Sequence, residues 1–135
     1  MVKLVIEERW SRELRTSVAG AEVVSSALAR IEVTRAARVF ARAPGAAATW
    51  VRTEGDVLAA TEALLTGLTL VLIDAGIVER AASLEPTLLR SLDAIHLATA
   101  LRVDQLQAFV TYDDDLRDAA RANGLTVVAP GRDPA

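Results

Sequence analysis

No cysteine, one lysine and one histidine occur in 135 residues, and each shortage removes a class of chemistry. Without cysteine there is no disulfide framework, no thiolate metal site and no Cys nucleophile. The single histidine, His96, leaves zinc without a ligand set. Long apolar runs are also missing: stretches such as Leu68 to Ile73 are far too short to span a bilayer. The start, Met1-Val2-Lys3-Leu4-Val5-Ile6-Glu7-Glu8, lacks the apolar region and cleavage site of a secretory signal. A cytoplasmic protein with no membrane segment is therefore expected. Neither a G-x-S-x-G elbow nor a phosphate-binding P-loop is present. No strong positive charge exists either. The net charge of −3 means that the chain as a whole is not an electrostatic trap for nucleic acid.

What is present suits one domain over residues 1–135. Hydrophobic residues make up 52% of the chain and charged residues 24%, enough for a substantial core and too little charge for disorder. All the basic residues but Lys3 are arginine. Arginine is the better fork for phosphate or carboxylate, although coding-base composition produces the same bias.

The periodicity predicts a helix over residues 3 to 18, ended by Gly20. A short β-branched run from Glu22 to Ser25 precedes a helix from Ala27 to about Arg42, with Ser26 as its cap. Pro44-Gly45 breaks the chain, and a helical stretch follows from about Ala46 to Leu65, weakened by Gly55 and open to division in two. Thr69 to Ile73 has no alternation, the mark of a strand covered on both faces. Asp74 caps a helix through Leu84, and Ser91 opens another through Leu101. Ala108 to Thr111 is a second buried strand. A helix from Asp113 to Asn123 closes at Gly124, Leu125 to Val128 is the last strand, and the tail from Pro130 is read as frayed. Strands alternating with helices imply an α/β domain with a parallel sheet and helices on both sides.

In such sheets ligands bind beyond the carboxyl ends of the strands. Polar residues there single out Glu32, Asp93 and the run Asp113-Asp114-Asp115. Carboxylates gathered at one place repel each other unless a cation neutralises them, so a cluster of them would call for a hard divalent ion such as Mg²⁺ or Mn²⁺. Each acid also has a plain structural reading. Glu32 can pair with Arg35 one turn on, although Leu28, Ala36 and Val39 share its face. Asp93 can favour the helix dipole, and Asp113 can cap the helix that follows it. His96 reads as a packed, hydrogen-bonded residue, and Trp10 and Trp50 as core or dimer-face residues. Arg35 and Arg117 are candidates for phosphate contact, with a solvated helix face as the simpler reading.

The segment Ser26-Ala27-Leu28-Ala29-Arg30-Ile31-Glu32-Val33 resembles the second acidic motif of PIN domains in VapC toxins. Ser91-Leu92-Asp93-Ala94-Ile95-His96-Leu97-Ala98-Thr99-Ala100 resembles the third. Phe109-Val110-Thr111-Tyr112-Asp113-Asp114-Asp115-Leu116 resembles the fourth, followed by an ending like the family's in Gly124 to Gly131. The resemblance implies a three-layer α/β/α PIN-like domain with a mainly parallel central sheet. It further implies hydrolysis of RNA with Mg²⁺ or Mn²⁺ held by Glu32, Asp93 and Asp113. The implied partners are a small VapB-like antitoxin and a second copy in a homodimer. One departure stands out: the family's first strand and its Asp would lie about four residues before Met1, on the motif spacing. The expectation is a longer natural protein. The alternatives are a decayed toxin that still binds its antitoxin, or a strand supplied by another chain.

Two functions from different classes follow: a metal-dependent endoribonuclease, and a catalytically inactive PIN module that binds an antitoxin. A response-regulator receiver is a third reading, since Leu70-Val71-Leu72-Ile73-Asp74 looks like a strand ending in a phosphoacceptor. A receiver also needs a late lysine and an early acidic pair. Both are missing, so Asp74 is read as a helix cap.

Overall fold

Three helices in this chain begin where an N-cap side chain satisfies one of the first amides in the computed structural model, which describes residues 9–43 and 53–134. Thr53 accepts from the Asp56 N–H at 3.0 Å, Asp74 from Ile77 at 3.0 Å and Asp113 from Leu116 at 3.0 Å. Each side chain supplies a partner to an amide that the helix itself leaves bare. The elements in order are α1 (Ser11–Val18), β1 (Val24–Ser26), α2 (Leu28–Arg42), α3 (Glu54–Thr66), β2 (Thr69–Val71), α4 (Ala75–Ser83), α5 (Ser91–Ala100), β3 (Phe109–Val110), α6 (Asp114–Ala122) and β4 (Val127–Val128). The α/β class is borne out.

Among the described residues the strands form two short pairs, β1 with β2 and β3 with β4. Phe109 and Val110 pair in parallel with Val127 and Val128. In the other pair, Thr69 N–H donates to Val23 and Ala27 N–H to Val71. The partners advance in the same sense along both strands, which is the parallel pattern. The expected coverage of both faces fails at Leu72, which is 78% exposed beyond the end of β2.

The described residues fall into two compact units, with the division running through β1 and β2. The first contains α1, α3 and all of α2 after Leu28. In α2 the buried stripe is Ala29, Val33 and Ala37, and in α3 it is Val57, Thr61 and Leu65. Both stripes step by four, which keeps side chains on one helical face. The helix expected over residues 3 to 18 is corrected here. Trp10 sits at φ 66°, a left-handed conformation that a right-handed helix cannot run through, so α1 starts at Ser11. Trp10 therefore precedes the helix, and the Arg9 guanidinium lies 4.2 Å from its ring centroid. Residues 3 to 8, Pro44-Gly45, the stretch from Ala46 and Trp50 lie outside the described residues.

The second unit holds α4, α5, α6 and the β3–β4 pair. Its core consists of Ile77, Leu84, Ala94, Leu97, Ala98, Leu116, Ala119 and Ala120, with Phe109, Leu125 and Val127 packed against it. Leu97 is wholly buried, a contribution of about 1.5–3 kcal/mol from its side chain. Alanines of α5 and α6, Ala94, Ala98, Ala119 and Ala120, lie in this core. Gly124 closes α6 at φ 87°, where a side chain would be strained. The tail is not frayed. Ala129 is buried, Asp133 accepts from its N–H at 2.6 Å, and Tyr112 donates its hydroxyl proton to Pro130 O at 2.8 Å.

Candidate functional site

Two acids that lie far apart in the sequence meet one cation in the second unit. Asp93 stands in the first turn of α5, and Asp113 stands at the end of the β3–α6 connection as the cap of α6. Arg90, the residue before α5, donates from Nε to Asp93 Oδ2 at 2.9 Å and from Nη2 to Asp113 Oδ2 at 2.9 Å. Asp113 divides its oxygens: Oδ1 accepts from Leu116 N–H, and Oδ2 faces the guanidinium. The helix cap thus fixes the carboxylate that Arg90 contacts.

The Arg90 guanidinium is held above the usual arginine range, first by its hydrogen bond to Asp93, then by the charges of Asp93 and Asp113. Asp115 adds to this field at longer range. Arg90 was not among the residues that sequence reasoning singled out. Its spacing of three from Asp93 was the available signal; its contact with Asp113, 23 residues on, left none.

Glu32 belongs to the first unit, on α2. Glu32 is half-buried, as are Leu28 and Ala36 on its face, while Val39 on that face is 72% exposed and the buried stripe runs through Ala29, Val33 and Ala37. Asp114 is exposed and accepts from Arg132 Nη2 at 2.7 Å. Among the described residues no three His, Cys, Asp or Glu side chains gather as metal ligands.

His96, one turn after Asp93, contacts the buried Ser26 hydroxyl at 3.2 Å through Nδ1, and Ser26 also accepts from Leu28 N–H at 3.2 Å. This bears out the reading of His96 as hydrogen-bonded and of Ser26 as a cap. Asp74 is a cap as expected, and it also pairs with Arg102. That hydrogen bond is the main reason its carboxyl is held below the usual carboxylate range. Arg117 matches neither of its expected roles. It is buried, and it holds Asp133 at 2.8 Å, so it is neither a solvated residue nor free for phosphate.

The donor set suits a hard divalent cation. Both acids offer carboxylate oxygen, the ligand type that Mg²⁺ and Mn²⁺ prefer. Both also turn an oxygen to one positive group, the Arg90 guanidinium.

The PIN domain family model matches residues 3–122 of the chain. Ribonuclease VapC46 of Mycobacterium tuberculosis is 39% identical over 133 residues, covering 96% of this chain and 92% of that protein. Ribonuclease VapC35 of the same species is 44% identical over 112 residues, covering 81% and 73%. Ribonuclease VapC47 is 35% identical over 137 residues, covering 97% and 92%. No solved structure matches the chain.

Proposed function

The chain belongs to the PIN-domain family, among the VapC ribonucleases, and from that premise we propose that it is a metal-dependent endoribonuclease, the toxin of a type II toxin–antitoxin pair. The observation that carries the reading is the convergence of Asp93 and Asp113 on one guanidinium. Asp93 and Asp113 would hold the ion through the oxygens now turned to Arg90, with Glu32 as the third acid from the second motif. Mg²⁺ or Mn²⁺ is the ion this donor set favours. Bound there, it would neutralise charge on the phosphodiester and make a water acidic enough to attack.

The protein's own part is positional. Leu116 N–H fixes Asp113, so that carboxylate need not reorganise when the ion arrives; Asp93 stands in the first turn of α5, turned to Arg90. The two units are read as parts of one PIN-like domain, since the family model spans both. RNA as substrate, a VapB-type antitoxin as partner and a homodimer in the cytoplasm complete the proposal. No helix among the described residues is long and apolar enough to cross a membrane.

The test is cleavage of labelled RNA with Mn²⁺, by the chain and by a version that includes the in-frame upstream codons. Asp93→Asn of each is the control. Metal-dependent cleavage that falls at least about a hundredfold in the control is expected, because even outer-shell partners of a metal site are worth 10–100-fold. RNA left intact by protein that binds Mn²⁺ normally would sink the reading.

A further inference from the structure

An arginine that touches both acids of a metal site competes with the metal. Arg90 leaves 71% of its side chain exposed, yet it spends Nε on Asp93 and Nη2 on Asp113. Both contacts use Oδ2, and Asp113 has no second choice because Oδ1 is committed to the α6 cap. A cation reaching these oxygens must therefore meet the guanidinium first. We infer that Arg90 is a built-in counter-ion for the Asp93–Asp113 pair, and that a divalent cation binds by exchange with it.

Three features support exchange over a permanent strut. The Arg90 side chain is solvent-exposed, so the freed guanidinium returns to water without a burial cost. It sits at the N-terminal flank of α5 with a β-region backbone, so its swing disturbs no helical hydrogen bond. Asp113 is also positioned without it, by the α6 cap. In the ion-free protein Arg90 relieves the repulsion that two neighbouring carboxylates would otherwise suffer. The arrangement lowers apparent metal affinity and leaves a displaced arginine beside the site.

The inference rests on the metal-site reading above, and calorimetric titration with Mn²⁺ alone separates the two. Wild type, Arg90→Ala, Arg90→Lys and Asp93→Asn are compared as full chains, with thermal unfolding as the check on folding. Removing two exposed ion pairs should tighten Mn²⁺ binding roughly three- to tenfold in Arg90→Ala. Arg90→Lys should fall between it and wild type, because a lysine is a point charge without the fork. As a second readout, the Arg90 Nε–H signal in ¹⁵N NMR should move toward that of a free guanidinium as diamagnetic Mg²⁺ saturates the site. Equal or weaker Mn²⁺ binding by Arg90→Ala, with Asp93→Asn binding lost, overturns the exchange and leaves the metal site standing. Absence of binding in both wild type and Arg90→Ala overturns the metal site and the exchange together.

Discussion

Arg90 and Arg117 both hold carboxylates in the second unit, but they do so on opposite sides of the water boundary. Arg117 shows 8% of its side chain and grips Asp133 alone; Arg90 shows 71% and divides itself between two acids. A guanidinium out of water cannot leave its partner without stranding a charge. One in water gives up its partner at little cost. The first arrangement suits a scaffold and the second suits an exchangeable ligand, although both show ion-pair distances between 2.8 and 2.9 Å. Distance alone does not separate them; exposure does.

The largest test of this contrast is Arg117→Met. Losing the partner of Asp133 should clearly lower the thermal midpoint, because Asp133 also anchors Ala129 N–H and its charge would be left beside the core. Arg90→Ala should lower it far less, by a few degrees at most. Equal losses in the two variants would erase the distinction.

An acid titration sharpens it next. Asp133 is held below its ordinary value of 3.8, first by the hydrogen bond from Arg117 and then by Ala129 N–H. A depressed carboxyl contributes stability that is fully present above the unfolded value and is lost as pH falls through the folded one. Stability should therefore fall below about pH 4, and that acid-side loss should shrink in Arg117→Met. A pH profile unchanged by the substitution would count against the pair.

A smaller effect divides the two jobs of Asp113. Asp113→Ala should cost about 1 kcal/mol through the lost cap, whereas Asp113→Asn should cost almost nothing, since Asn caps equally well. Both should lose metal binding. The smallest effect is the thermal midpoint of Arg90→Ala in the metal-free protein, expected to fall by only a few degrees with the two exposed ion pairs; a drop like that of Arg117→Met would make Arg90 structural.

Which of these features the sequence disclosed depends on how far the partner lies along the chain. The caps Asp74 and Asp113 act three residues away, and Gly124 ends a helix at its own position, so all three were legible. The same holds for the order of helices and strands and for the motif acids. Arg117 and Asp133 are 16 residues apart, and Arg90 and Asp113 are 23 apart. No local pattern joins such pairs, and a lone arginine on a helix reads as solvated. Trp10 misled for a related reason. Its neighbours have helical spacing, and nothing in the residue type announces a left-handed backbone.

The last turn of the chain has a genetic consequence. Arg132 donates to Tyr112 O and pairs with Asp114, on either side of Asp113, while Asp133 secures Arg117. A premature stop just after Pro130 would spare every motif acid and still remove both fasteners. Screens for inactive alleles should therefore recover nonsense mutations just after the Pro130 codon alongside missense changes at Asp93 and Asp113.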